Sequence, residues 1–122
     1  MSDIVVVDDD TDIRELVVYR LERDGHDVRA YPDGVAALEG LAERPADLAI
    51  VDVMMPGLSG FDLARAIRQD AALSGTRIIM LTARTQEADL AQGYAAGADD
   101  YVPKPFSPRE LSLRVNAVLS RQ

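Results

Sequence analysis

The chain has 122 residues, 48% of them apolar and 28% charged, the size and balance of one folded domain with a buried core, not of a disordered or membrane-spanning segment. A formal charge of −8 argues against direct nucleic-acid binding, because affinity for phosphate backbones comes from clustered Lys and Arg. With no cysteine and one histidine, His26, disulfides, thiolate metal sites, cysteine nucleophiles and His-rich zinc sites are excluded, which leaves carboxylates, hydroxyls and lysine for any chemistry.

Met1-Ser2-Asp3-Ile4 carries no basic stretch ahead of a long apolar one, and the apolar runs are too short for a membrane span, so a cytoplasmic protein without a membrane partner is expected. Ile4-Val5-Val6-Val7 reads as the first strand. Ile13, Leu16, Val17 and Leu21 then repeat on one face of a helix over about residues 11 to 24. Val28-Arg29-Ala30 is a weaker strand, followed by a helical segment with Ala37, Leu38 and Leu41 inward. Leu48-Ala49-Ile50-Val51 is the third strand. Ser59-Gly60-Phe61-Asp62 has the form of a capping box, opening a helix that buries Leu63, Ala64 and Ile67. Ile78-Ile79-Met80-Leu81 is the fourth strand. The helix after it, over about residues 86 to 95, has a short apolar face of Leu90 and Tyr94, contains Gly93, and stops at Gly97. Tyr101-Val102 makes the last strand, and Ser107-Pro108-Arg109-Glu110 opens a final helix with Leu111, Val115 and Val118 as its buried stripe.

Strand and helix thus alternate five times, without internal repeat or linker, which predicts one domain over residues 1–122 of the α/β class. The three strong strands do not alternate apolar with polar, so both of their faces are covered, as in a parallel sheet between two helical layers. Right-handed crossovers make such units an open, doubly wound sheet. Ligands of these sheets gather at the carboxyl ends of the strands, where the strand order reverses.

Those ends are polar here. The first strong strand runs into Asp8-Asp9-Asp10, the third into Asp52, the fourth into Thr82-Ala83 and the fifth into Pro103-Lys104-Pro105. If the first and third strands are neighbours, Asp8 or Asp9 meets Asp52 in one crevice. Like charges about 4 Å apart repel by roughly 4 kcal/mol at an effective dielectric of 20, so such a cluster calls for a cation. All-oxygen ligands suit magnesium. Each residue also has a plainer reading. Asp10 serves equally well as a helix cap, Lys104 alone as a surface lysine, Thr82 alone as a strand residue, and Met54 and Met55 as packing residues, with Met54 contributing no more than its backbone carbonyl to a site. Asp52 resists such a reading, because Pro56 and Gly57 already supply the turn after it.

Taken together, Val7-Asp8-Asp9, Val51-Asp52-Val53-Met54-Met55-Pro56-Gly57, Leu81-Thr82-Ala83, Gly97-Ala98-Asp99-Asp100-Tyr101 and Lys104-Pro105-Phe106 resemble the receiver domain of two-component response regulators over the whole chain. The resemblance implies a flavodoxin-like (βα)5 sandwich with strand order 2-1-3-4-5. It implies that Asp52 takes a phosphoryl group from the phosphohistidine of a sensor histidine kinase or phosphotransfer protein. Asp9, Asp52 and the Met54 carbonyl would ligate Mg2+, with Asp8 acting through water. Lys104 and Thr82 would hold phosphoryl oxygens, and the Lys104-Pro105 peptide would be cis. Thr82 would then move toward the new charge and Tyr101 would turn inward, reshaping the face of the fourth helix, fifth strand and fifth helix, a two-state element biased by a local charge.

The last forty residues are most similar to receivers that precede winged-helix DNA-binding domains, which implies homodimerisation through that face on phosphorylation. Asp100, Glu110, Arg114 and Arg121 match the subfamily, whereas Leu90 stands where it usually has a basic residue. The resemblance implies that the lifetime of the phosphoryl group depends on residues beside the site such as Met54 and Arg84. A magnesium-dependent phosphohydrolase of the haloacid dehalogenase type would need a second Asp where Met54 stands, and a flavin carrier would need Ser, Thr and Gly in place of Asp8-Asp9-Asp10. A pure interaction domain would leave Asp52 unmodified. The expectation is a self-modifying switch, not a turnover enzyme.

Overall fold

A computed structural model describes residues 2–83 and 87–121, with the backbone alone at 87–89. Arg84, expected beside the site, lies outside the described residues. Among the described residues five strands alternate with five helices: β1 Asp3–Val7, α1 Thr11–Arg23, β2 Asp27–Tyr31, α2 Gly34–Glu43, β3 Leu48–Asp52, α3 Gly60–Gln69, β4 Arg77–Thr82, α4 Glu87–Ala96, β5 Asp100–Pro103 and α5 Pro108–Leu119. The sheet is wholly parallel in the order β2-β1-β3-β4-β5, the doubly wound, flavodoxin-like arrangement expected from the sequence.

Both faces of the central strands are buried, which is why those strands lack a polar alternation. Val5, Val7, Ala49, Val51, Ile78 and Met80 meet Ala37 and Leu41 of α2, Leu63 and Ile67 of α3, and Ala96 of α4. The alternate residues Ile4, Val6, Leu48, Ile50, Ile79, Leu81 and Val102 meet Val17 and Leu21 of α1 and Leu111, Val115 and Val118 of α5. Leu16 departs from expectation and is 43% exposed. The stripe of α1 runs through Val17 and Leu21, with Ile13 and Val18 partly covered beside them, and a helix turns about 100° per residue, which carries Leu16 off its edge.

The predicted helix starts are realised by side-chain caps. Asp10 accepts from the Asp12 and Ile13 amides of α1, and Ser107 accepts from the Glu110 amide, with Pro108 in the first turn of α5. Ser59 caps α3 through the Asp62 amide. The reciprocal half of the box is diverted, since the Asp62 carboxylate accepts from Arg65 Nη1 at 3.1 Å. At the end of α4, Gly97 at φ +115° lets its amide and that of Ala98 reach the carbonyls of Tyr94 and Gly93, the pairing that closes a helix at a left-handed residue.

Candidate phosphoacceptor site

The parallel register delivers the polar strand ends to one edge of the sheet. Val7 lies beside Val51, Asp52 beside Leu81, and Thr82 beside Pro103. Asp8, Asp9 and Asp52 each bring a carboxylate oxygen to within 4.8 Å of the others. Asp8 is fully buried, Asp52 is 5% exposed and Asp9 faces solvent. Lys104 Nζ reaches across from the end of β5, 3.2 Å from Asp52 Oδ1 and 3.3 Å from Asp8 Oδ2. Its backbone is fixed as well: the Lys104 amide donates to the Thr82 carbonyl at 2.8 Å, and Lys104-Pro105 is cis.

Asp8 is held twice more, its Oδ1 accepting from the Asp10 amide at 2.9 Å and its carbonyl accepting from Arg14 Nη1 at 2.7 Å. No motif in the sequence marks the Arg14 contact. The signal was present, because side chains on a helix lean toward its N-terminus, so a long basic residue in the first turn can reach back to the loop before it.

Burial raises the Asp52 carboxyl most, and the charge of Asp8 adds to it. The Lys104 ammonium and the Met54 amide, which donates to Asp52 Oδ1 at 3.3 Å, oppose them, and the carboxyl is left at about 6. For Lys104, burial works against the charged form, yet the attraction of Asp8 and then of Asp52 outweighs it and holds the ammonium above its ordinary value. One lysine therefore does not neutralise two buried carboxylates and a third at their rim. The donor set of hard oxygens, short of positive charge and open at Asp9, fits a divalent cation such as magnesium.

The two methionines part ways. Met55 packs in the core, while the Met54 side chain is 61% exposed at the rim of the site, so the packing expected of both holds only for Met55. Thr82 is buried at the end of β4, one strand from Asp52. Tyr101 is also buried, its hydroxyl donating to the Leu90 carbonyl of α4 at 3.1 Å and its ring edge-on to Tyr94. It was expected to turn inward on phosphorylation, and it already lies inward here. Gly93 is what opens that seat, for a Cβ there would fall on the Tyr101 hydroxyl.

The sequence profile of the response regulator receiver domain matches residues 4–116. The chain belongs to that family. As a receiver domain it is 50% identical over 118 residues to the transcriptional regulatory protein GltR of Pseudomonas aeruginosa, a match covering 97% of this chain and 49% of that protein. It is 44% identical to the DNA-binding response regulator MtrA of Mycobacterium tuberculosis, over 97% of this chain and 50% of MtrA. Its fold superposes on the chemotaxis protein CheY4 of Vibrio cholerae with a TM-score of 0.93 at 34% identity, covering 97% of this chain and 98% of that one. The chain spans about half the length of the curated relatives it matches. Their regulatory and DNA-binding names agree with the likeness of its tail to receivers of the winged-helix transcription factors. Among the described residues no helix is long and apolar enough to cross a membrane.

Proposed function

We propose that residues 1–122 act as one cytoplasmic receiver unit in which Asp52 is the phosphoacceptor. The observation that carries this reading is a nearly buried carboxylate, pushed up to about 6, facing two further carboxylates and a lysine at the strand ends. Asp9 and Asp52, with the Met54 carbonyl, would hold Mg2+, and Asp8 would act on it through water. Bound there, the ion would offset charge on the phosphoryl oxygens as they are transferred.

The carboxylate of Asp52 attacks phosphorus, the P–N bond of a donor phosphohistidine breaks, and the imidazole nitrogen keeps the electron pair and takes a proton. The product is an acyl phosphate. Lys104 and Thr82 hold phosphoryl oxygens in this reading, and Thr82 and Tyr101 carry the change to α4, β5 and α5. The donor is a sensor histidine kinase or phosphotransfer protein, and the output is an attached or separate effector, a DNA-binding one by likeness to the relatives. Only the domain's own phosphorylation and dephosphorylation are catalysed. The exposed, apolar side chain of Met54, where a phosphohydrolase would place its general acid, favours a switch over a turnover enzyme. Acetyl phosphate with magnesium should add one phosphoryl group to the wild type, read by intact mass, and none to Asp52→Asn; modification that survives this substitution would sink the assignment.

A further inference from the structure

The Asp9 carboxylate makes no hydrogen bond or ion pair among the described residues, although it stands in the acidic cluster. With no such partner to hold the side chain, the point and direction from which it departs are set by the backbone on either side. On one side Asp10 is tied into the cap of α1. On the other lies the Asp8–Asp9 peptide, whose carbonyl accepts from Arg14 Nη1 at 2.7 Å. That bond is the only one the Arg14 side chain makes among the described residues. With Asp8, Asp9 and Asp10 all close at hand, the guanidinium binds a neutral carbonyl and pairs with none of them. A charge-assisted bond of this length resists rotation of the peptide plane from which Asp9 departs.

We propose that Arg14 is a positioning residue for metal binding: by clamping the Asp8 carbonyl it fixes the Asp8–Asp9 peptide and so aims the Asp9 carboxylate into the cluster. The inference rests on the reading of Asp9 and Asp52 as Mg2+ ligands. It makes a prediction opposite in sign to simple electrostatics. A guanidinium near a divalent cation repels it, so on charge alone its removal would tighten magnesium binding. Loss of a positioning contact weakens binding instead, by about 10-fold where outer supports of metal ligands have been removed.

Isothermal titration of Mg2+ into the wild type, Arg14→Met and Arg14→Lys separates these cases, with metal-free melting as the check on folding. Arg14→Met keeps the apolar stem and is expected to raise the Kd for Mg2+ about 10-fold. Arg14→Lys, which restores a cationic donor, should recover at least half of that loss. With acetyl phosphate, Arg14→Met should be slow at limiting magnesium and close to wild type at saturation. A Kd that is unchanged or lower in Arg14→Met, or no recovery in Arg14→Lys, overturns the proposal while leaving the site assignment standing. A wild-type chain that takes up no magnesium overturns both.

Discussion

Asp52 couples the site to the stability of the domain. Its carboxyl ionises at about 3.8 in the unfolded chain and at about 6 in the folded one. Between those values the folded state binds the extra proton, so without metal the contribution of Asp52 to stability is fully present below about pH 4 and is lost as pH rises through about 6. Asp52→Asn removes this cost. Metal-free Asp52→Asn should melt several degrees above the wild type at neutral pH, since ~1 kcal/mol moves Tm by about 4 °C in a domain of this size, and the two curves should converge at pH 4. Calorimetry across that range checks it, and equal melting at neutral pH would show that Lys104 alone compensates the cluster. The same balance explains how Asp52 could be singled out before any fold was known. A carboxylate ending a run of buried apolar residues has no local task, whereas Asp10 proved to be a cap, the role its position before a helix suggested. Met54 and Met55 were not separable this way, because the loop's path turns one out and the other in.

Among the elements, α4 is the one whose sequence argues most against its own formation. Gly93 costs about 1 kcal/mol against Ala in an ordinary helix interior, and the apolar face of α4 is short. The structure shows what the glycine does: it makes room for the Tyr101 ring against the α4 backbone, with Phe61 close behind. Gly93→Ala is therefore expected to destabilise the domain by about 1–3 kcal/mol through overpacking. In a Tyr101→Ala background the same substitution should instead stabilise it by about 0.5–1 kcal/mol, the ordinary helix preference. Urea denaturation of the four proteins gives the coupling, and a stabilising Gly93→Ala in the wild type would refute the cradle. The capped helices α1, α3 and α5 were legible from residue order because their signals are local. The exposure of Leu16 was not, for it depends on which 100° of α1 the sheet and α5 happen to cover.

At the scale of the whole molecule the two ends of the sheet do different work. The carboxyl ends gather Asp8, Asp9, Asp52 and Lys104. At the opposite end Arg68 joins the close of α3 to the turn before β5, donating to the carbonyls of Gly97, Ser74 and Thr76 and pairing with Asp99. The face of α4, β5 and α5 lies between them. There Arg114 is already paired with Asp100 at 3.2 Å in its own chain, and Leu90 is occupied by packing against the core and by the Tyr101 hydroxyl. Tyr94 and Leu113 remain exposed on the same side. Homodimerisation on activation would have to use these apolar residues and redirect Arg114. Sedimentation velocity of the apo and the beryllofluoride-magnesium forms at matched concentration is expected to show a faster boundary for the second; identical boundaries would argue for a monomeric output.

Hydrophobic period, caps and the polar residues at strand ends were readable one segment at a time, because each reports the burial or the hydrogen bonding of its own stretch of chain. They carried the fold class and the candidate groups, including Asp52. Whether Asp8 and Asp9 meet Asp52, how far Lys104 reaches, why Gly93 stands opposite Tyr101 and what Arg14 holds are contacts between segments distant along the chain or between a side chain and a loop. Such contacts depend on strand register and on the path of loops. Chain order alone leaves those free, and the packing of two helical layers on one sheet settles them.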